Sequence, residues 1–137
     1  MKWTDSFSIG VPEIDKQHMI IVECITMLED AIKNRKQRAG WSTIHSVLGQ
    51  LSAYVRMHFA SEEELMRECG YPYLNAHMEE HLQFMQDLID LQHKSRSEDI
   101  AHQLHAFLDA WWHSHVMEQD KDYVPFLKPR ATGERAA

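Results

Sequence analysis

Ten histidines occur among the 137 residues of the chain, and histidine is the most common metal ligand in proteins. Two pairs have the i, i+4 spacing that places both side chains on one face of a helix, His58 with Glu62 and His77 with His81. In a chain so rich in His and Glu, random placement gives about one pair of each kind. Spacing alone therefore does not identify a metal site, and the position of each residue on its helix must decide.

Several of these residues share a second property, because they occupy positions on the apolar stripe of a predicted helix. Apolar residues recur at steps of three and four in four segments of the chain. A polar group at such a core position is costly unless it is paired or bound to a metal. The residues that interrupt or extend the stripes are His18, His58, Glu62, His77, His81 and His115.

The remaining histidines lie off the stripes. Relative to the candidate on the same helix, His105 is displaced by about 80° around an ideal helix, and the others by about 120° to 160°. We expect this group on the surface or at its boundary: His45, His93, His102, His105 and His113.

Asp120 is a further candidate, although its spacing is unfavourable. It follows His115 by five residues, which is about 140° around an ideal α-helix. It reaches the same side only if the last turn of the helix is distorted or unwound. From spacing alone, a metal ligand and a solvated charge in the acidic run 118–122 are equal alternatives.

Four amphipathic segments must position these residues. An irregular arm is predicted at 1–11, followed by a helix that begins at Pro12 and ends before Gly40. The other predicted helices span about 42–68, 73–93 and 98–119, with Ser97 as the N-cap of the last. We predict one bundle domain over residues 1–127 and a disordered polar tail over residues 128–137.

Short loops between helices of this length predict an all-α fold, an antiparallel up-down-up-down four-helix bundle. In that arrangement, the starts of the first and third helices lie at the same end as the ends of the second and fourth. All the candidate ligands fall at that end of the bundle. Neither chance nor core packing explains this agreement well.

Five imidazoles and two carboxylates exceed the four ligands that a zinc ion usually takes. They suit two first-row ions, and imidazole together with carboxylate fits iron. If both carboxylates and a hydroxide or oxide bridge the ions, one coordination position stays open for a small diatomic ligand. The HxxEH pattern at residues 77–81 also occurs in a class of zinc proteases, but that site would leave the other candidates unused. The Glu-x-x-His pattern of carboxylate-rich di-iron bundles does not occur in the sequence.

Charge and composition limit the partners and the location. Asp and Glu total 21 against 14 Lys and Arg, a net charge of −7, which disfavours nucleic acid and anionic membranes as partners. No apolar run is long enough to span a membrane, and no secretory signal is visible. The two cysteines, Cys24 and Cys69, show no disulfide or metal-binding pattern. We therefore expect a cytoplasmic protein.

Four segments together resemble the hemerythrin family, specifically its single-domain bacteriohemerythrins. They are GVPEIDKQH at 10–18, HFASEE at 58–63, GYP at 70–72 with HxxxH at 77–81, and WWHSHVMEQDKDY at 111–123. The resemblance covers residues 3 to 124 and supplies a counterpart for every ligand of the family, including Asp120.

The resemblance implies a hydroxo- or oxo-bridged pair of iron ions as the cofactor and dioxygen as the ligand. It implies that three histidines bind one iron, that two bind the iron at which dioxygen binds, and that two carboxylates bridge. The ligands of the first iron would be His77, His81 and His115. Those of the second iron would be His18 and His58, and the bridging carboxylates would be Glu62 and Asp120.

Three apolar residues are adjacent to matching ligands, namely Phe59, Trp112 and Val116. The resemblance implies that they line the oxygen pocket, and plain core packing explains them equally well. Trp3 and Tyr123 are expected to pack over the open end of the site.

Three uses of such a site are open. The first is an oxygen carrier or store, with delivery to an oxygen-consuming enzyme such as an oxygenase as an extension. The second is an oxygen or redox sensor, and the third is an oxidase, a peroxidase or a nitric-oxide-handling enzyme. We predict the first, because no further acid or base is placed for catalysis, and we therefore expect no enzymatic activity. We also expect a monomer.

Overall fold

Four long helical stretches form a bundle in the computed structural model, which describes residues 1–36, 40–95 and 99–127. The long helices are α1 (Pro12–Lys33), α2 (Gly40–Glu68), α3 (Leu74–Lys94) and α4 (Ala101–Trp111). The last continues through a π-helical segment (Trp112–Gln119) into the short helix α5 (Asp120–Tyr123). α1 packs against α2 and α4, and α2 packs against α3. The predicted all-α four-helix bundle is confirmed, and no strand occurs in the described ranges.

Most predicted helix boundaries are correct to within a few residues, but the fourth helix differs in kind. It was expected to be regular as far as Gln119, whereas the α-helix ends at Trp111 and a π-helical segment follows. In a π-helix each N–H bonds to the carbonyl five residues earlier instead of four. The predicted N-cap residue Ser97 and the predicted tail 128–137 lie outside the described residues.

The N-terminal end of α1 is fixed by local hydrogen bonds. Gly10 adopts a φ of 80°, which favours glycine, and Pro12 occupies the first turn, where a missing N–H costs nothing. The carboxylate of Asp15 then accepts the backbone N–H of Ile9 at 2.9 Å and the hydroxyl of Ser8. These contacts hold the arm against the helix one turn before His18.

The C-terminal end of α2 is a Schellman turn. Gly70 adopts a φ of 68°, its N–H donates to the carbonyl of Arg67 at 3.2 Å, and the N–H of Tyr71 donates to the carbonyl of Met66 at 2.9 Å. The turn reverses the chain so that the Tyr71 side chain is buried with Met66 in one apolar cluster.

The core consists of two apolar clusters with a polar layer between them. Along α1, Ile14 belongs to the smaller cluster and Ile21 to the larger, and along α2, Leu65 belongs to the smaller and Phe59 to the larger. Tyr123 completes the smaller cluster. The intervening positions on both helices carry the polar residues described below. In the parts of the chain that the structure describes, no helix is long and apolar enough to cross a membrane.

The N-terminal arm lies across the bundle and contributes an aromatic contact to it. The amine of Met1 pairs with Glu29. The ring of Phe7 packs edge-on against Trp112 with 5.1 Å between centroids, and Trp3 packs edge-on against Phe7 at 5.7 Å. The arm therefore covers the outer side of Trp112.

Candidate metal centre

The structure brings all the candidate ligands into one buried layer. They come from α1, α2, α3 and the fourth helical stretch, and each side chain is at most 5% exposed. Spacing alone left Asp120 open as either a metal ligand or a solvated charge, and the structure places it fully buried among them. The complete set is His18, His58, Glu62, His77, His81, His115 and Asp120.

The ligand atoms fall into two groups that share members. Within each group, the ligand atoms all lie within 4.8 Å of one another. One group holds three histidines, the other holds two, and both carboxylates belong to both groups. The first consists of His77, His81, His115, Glu62 and Asp120, and the second of His18, His58, Glu62 and Asp120.

In the three-histidine group, Asp120 Oδ1 lies 3.2 Å from His77 Nε2 and 3.1 Å from His115 Nε2. His81 Nε2 lies 3.1 Å from His115 Nε2 and 3.5 Å from Glu62 Oε1. Two ligand atoms that are each about 2.1 Å from one metal ion and about 90° apart lie about 3 Å from each other. The observed separations are of that size.

The two-histidine group has similar separations. His18 Nε2 lies 3.1 Å from His58 Nε2, and His58 Nε2 lies 3.1 Å from Glu62 Oε1. Asp120 Oδ2 lies 3.3 Å from His18 Nε2. Asp120 therefore presents one carboxylate oxygen to each group, as a bridge between two ions requires.

Several buried atoms of this layer fit a metal ion better than they fit their protein neighbours. Among the described residues, Glu62 Oε1, His77 Nε2 and both Asp120 oxygens find no hydrogen-bond partner of acceptable geometry. A buried polar atom left in this way typically costs about 1–3 kcal/mol. Cations coordinated by these atoms would remove that cost, so the donor set fits a pair of metal ions.

The carboxylates of the layer stay ionised despite their burial. Burial and Asp120 favour the protonated form of Glu62, but His58 and His81 outweigh both and lower its pKa to about 2. Burial likewise opposes ionisation of Asp120, yet His115 holds the pKa of Asp120 well below its usual value. Burial lowers the pKa of His115, but Asp120 more than reverses this and raises it to about 9. A bound metal displaces the proton that His115 otherwise carries.

Two candidate histidines are oriented by glutamine side chains that the sequence prediction did not include. The Nδ1 atom of His58 lies 2.6 Å from Gln17 Oε1, and that of His115 lies 2.9 Å from Gln119 Oε1. Each Nδ1–H donates to the oxygen, which fixes the tautomer with Nε2 free to bind a metal. Each of these glutamines directly precedes a candidate ligand in the sequence, and this adjacency is the sequence feature that could have identified it.

Two further contacts involve Glu63 and Tyr123. His81 Nδ1 lies 2.8 Å from Glu63 Oε2, so this histidine has a carboxylate partner. The hydroxyl of Tyr123 donates to Glu62 Oε2 at 2.8 Å. Burial, with Glu62 and Asp120 nearby, raises the pKa of Tyr123 well above its usual value. The hydroxyl therefore remains a donor, and Tyr123 closes this side of the layer as expected.

The residues predicted to line the oxygen pocket lie beside the layer. The ring of Phe59 stacks on His81 with centroids 3.7 Å apart. Trp112 packs edge-on against His18 at 5.9 Å, and both Trp112 and Val116 are fully buried. Trp112 is thus next to the two-histidine group, and Phe59 contacts both groups, because its ring centroid also lies 5.9 Å from that of His58.

The five excluded histidines are outside this layer, as predicted. His45 is half-buried, with Nδ1 3.3 Å from Ser95 Oγ. The other four are exposed, namely His93, His102, His105 and His113.

Comparisons with known proteins agree with this arrangement. The family model of the hemerythrin HHE cation-binding domain matches residues 9–127. A bacteriohemerythrin of Stenotrophomonas maltophilia is 34% identical over 92% of this chain and 80% of its own length. A bacteriohemerythrin of Methylococcus capsulatus is 32% identical over 93% of this chain and 96% of its own length. The crystal structure of a hemerythrin point mutant, 32% identical, has a TM-score of 0.81 and covers 93% of this chain and 96% of its own. The chain therefore belongs to the hemerythrin family and groups within it with the bacteriohemerythrins.

Proposed function

We propose that the chain binds two iron ions in the buried layer and binds dioxygen reversibly there, as an oxygen carrier or store. The observation that carries the proposal is the pair of overlapping ligand groups, which share both carboxylates but hold unequal numbers of histidines. The ligands assigned to the three-histidine iron are His77, His81 and His115. Those assigned to the other iron are His18 and His58, with Glu62 and Asp120 as bridges.

The unequal groups leave room for a ligand on one side only. With three histidines, both shared carboxylates and a hydroxide or oxide, the first group would complete a shell of six ligands, and the group with two histidines would be one ligand short. When bound as a ferrous pair, the metal supplies that open position and the two electrons that dioxygen takes up. The difference between the two ions would arise because the group of His18 and His58 contains no third histidine.

The surroundings of the two-histidine group favour binding over further reaction. Trp112 packs against His18, Val116 is a buried apolar residue next to His115 in the sequence, and Phe7 of the N-terminal arm packs against Trp112. Apolar walls restrict the delivery of protons, and protons promote the release of oxygen in reduced form, which would leave the metal pair oxidised. In this proposal Phe59, Trp112 and Val116 keep water and acids away from the ligand.

The competing uses of the same site are an oxygen or redox sensor and an oxidase, peroxidase or nitric-oxide-handling enzyme. The absence of enzymatic activity, the cytoplasmic location, the monomeric state and delivery to an oxygenase are further parts of our prediction.

The test is to reduce the purified protein without oxygen, admit oxygen and then remove it. We expect two irons per chain and a charge-transfer band that appears with oxygen and disappears on its removal. Rapid irreversible turnover with an electron donor would support an enzyme instead. A protein without two irons, or without the band, would contradict the assignment.

A further inference from the structure

An open cleft with a volume of about 460 Å³ lies on the surface beside one of the candidate ligands. The cleft is lined by the candidate ligand His77, by the aromatic side chains of Tyr71, Tyr73 and Phe126, and by the carboxylates of Glu80 and Asp122. His77 is 5% exposed, so the floor of the cleft comes close to the metal layer.

Aromatic rings connect the mouth of this cleft to the metal layer. Tyr73 and Phe126 are 65% and 43% exposed, and their ring centroids lie 5.7 Å and 5.2 Å from that of buried Tyr71. Tyr71 in turn packs edge-on against His77 at 6.5 Å and Tyr123 at 6.3 Å. A series of ring contacts therefore leads from the exposed rings of Tyr73 and Phe126 through the buried ring of Tyr71 to His77.

The proposed function creates a need for such a connection. If oxygen leaves in reduced form, the metal pair loses two electrons irreversibly, and the protein would bind dioxygen again only after a donor restores them. The metal layer is buried, so a donor in solution must transfer electrons across intervening side chains. The rate of electron tunnelling falls steeply with distance, which favours an approach where a candidate ligand is nearest the surface, as His77 is in this cleft.

We propose that this cleft is the docking surface for a positively charged electron-donor protein, and that Tyr71 lies on the path from the donor to His77. The proposal rests on the proposed di-iron function. Each encounter oxidises the donor by one electron, two encounters reduce two ferric ions to two ferrous ions, and no bond forms or breaks at the cleft.

The distribution of charged residues indicates that the partner is positively charged. Glu80 and Asp122 line the cleft, whereas the adjacent basic residue Lys121 does not. The basic residues Lys33, Arg35 and Lys36 lie at the opposite end of the bundle, whereas Lys16 and Arg67 lie at the same end but do not line the cleft. A partner with a basic face is therefore attracted to the cleft, and opposite charge accelerates association.

The docking part is tested without any redox reaction. The probe is hexaamminechromium(III), a paramagnetic cation that exchanges no ligands, added to the purified protein at low ionic strength. We expect it to broaden the NMR signals of the Tyr73 and Phe126 rings before those of Trp41, which is 36% exposed elsewhere on the molecule. Asp122→Asn should weaken this broadening, while Asp90→Asn, the same change on the exposed surface of α3, should not. Equal broadening of all three rings would overturn the docking site.

The path is tested by the rate at which hexaammineruthenium(II), a cationic one-electron donor, reduces the oxidised protein. We expect Tyr71→Leu to slow reduction severalfold and Tyr71→Phe, which keeps the ring, to leave it near the wild-type rate. Phe126→Leu, a change at an exposed residue, should also slow it, with Trp41→Leu as the matched control. Wild-type rates in Tyr71→Leu and Phe126→Leu at normal iron content would overturn the path. A wild type without iron would overturn the proposed function, and the chromium experiment would still decide whether the cleft binds cations.

Discussion

Asp120 Oδ1 lies 3.1 Å from His115 Nε2, although a step of five residues would place the two side chains about 140° apart on an ideal α-helix. The π-helical segment from Trp112 to Gln119 accounts for the contact. Its hydrogen bonds join residues five apart, so its wider turn brings the two positions to the same side. π-Helical turns are rare and often occur at functional sites, and this one places the Asp120 carboxylate that both ligand groups share.

Asp120→Asn should lower the iron content below two ions per chain. The substitution removes the negative charge that faces both ligand groups, while the side chain keeps its size. Metal analysis of the purified variant measures the result. Asp109→Asn, an exposed change on the same helical stretch, is the control and should keep the wild-type content. Full iron loading of Asp120→Asn would show that this carboxylate is not a ligand.

His58→Ala should abolish the oxygen-dependent charge-transfer band at a smaller cost in folding. The side chain belongs to the two-histidine group, where dioxygen is proposed to bind. Absorption spectra and thermal unfolding of the same preparation separate the two effects. His45→Ala and His93→Ala are the controls, because neither residue lies in the layer. Equal loss of the band in either control would show that the sorting of the histidines is wrong.

Gln17→Leu should weaken metal binding by about 10–100-fold, the usual effect of removing a partner of a ligating histidine. The change leaves Nδ1–H of His58 without its acceptor at 2.6 Å. It should also lower the free energy of unfolding by about 1–3 kcal/mol. Competition with a chelator measures the affinity, and Gln86→Leu, an exposed change on α3, supplies the comparison. If the two variants hold iron equally well, the contact does not support the ligand.

Tyr123→Phe should retain both irons but lower the free energy of unfolding by about 1 kcal/mol, because the hydrogen bond to Glu62 at 2.8 Å is lost. The bridging carboxylate then has one fewer donor, so the charge-transfer band should also shift. Chemical denaturation and absorption spectra provide the two measurements. Tyr54→Phe is the control, since Tyr54 is a partly buried tyrosine of α2 that packs against the larger apolar cluster. An unchanged band in Tyr123→Phe would mean that the hydroxyl does not influence the bridge.

The sequence alone predicted the ligand layer where side-chain periodicity is regular. His18, His58, His77 and His81 lie on α-helices, where the apolar stripe and the direction of a side chain are tied to spacing by a fixed geometry. The antiparallel bundle followed from short loops, and the bundle then placed these residues at one height. This part required no knowledge of tertiary contacts.

Other parts depend on geometry that spacing does not encode. Asp120 reaches the ligand layer only because a π-helical segment precedes it. α-Helical spacing placed it on a different side of the helix from His115, so its prediction as a ligand rested on the family resemblance. Gln17 and Glu63 were missed as partners of ligands, since glutamine and glutamate at half-exposed positions usually face solvent. The aromatic cleft at Tyr71 was missed because it joins three separate segments around a turn whose direction depends on the backbone of Gly70.

The layer draws its ligands from residues 18 to 120, and thus from every helical stretch of the bundle. A pair of ions held in this way would cross-link the chain at seven side chains. It would join helices that the loops connect only to the next helix in the sequence. Cross-links of this kind restrict the unfolded chain most when they close long loops. No helix can leave the bundle without giving up at least one metal ligand, so release of the metal has to accompany or precede unfolding. Under the proposed function, the lifetime of the folded chain would then depend on the rate of metal dissociation, and the bound metal would be a structural component of the protein as well as its cofactor.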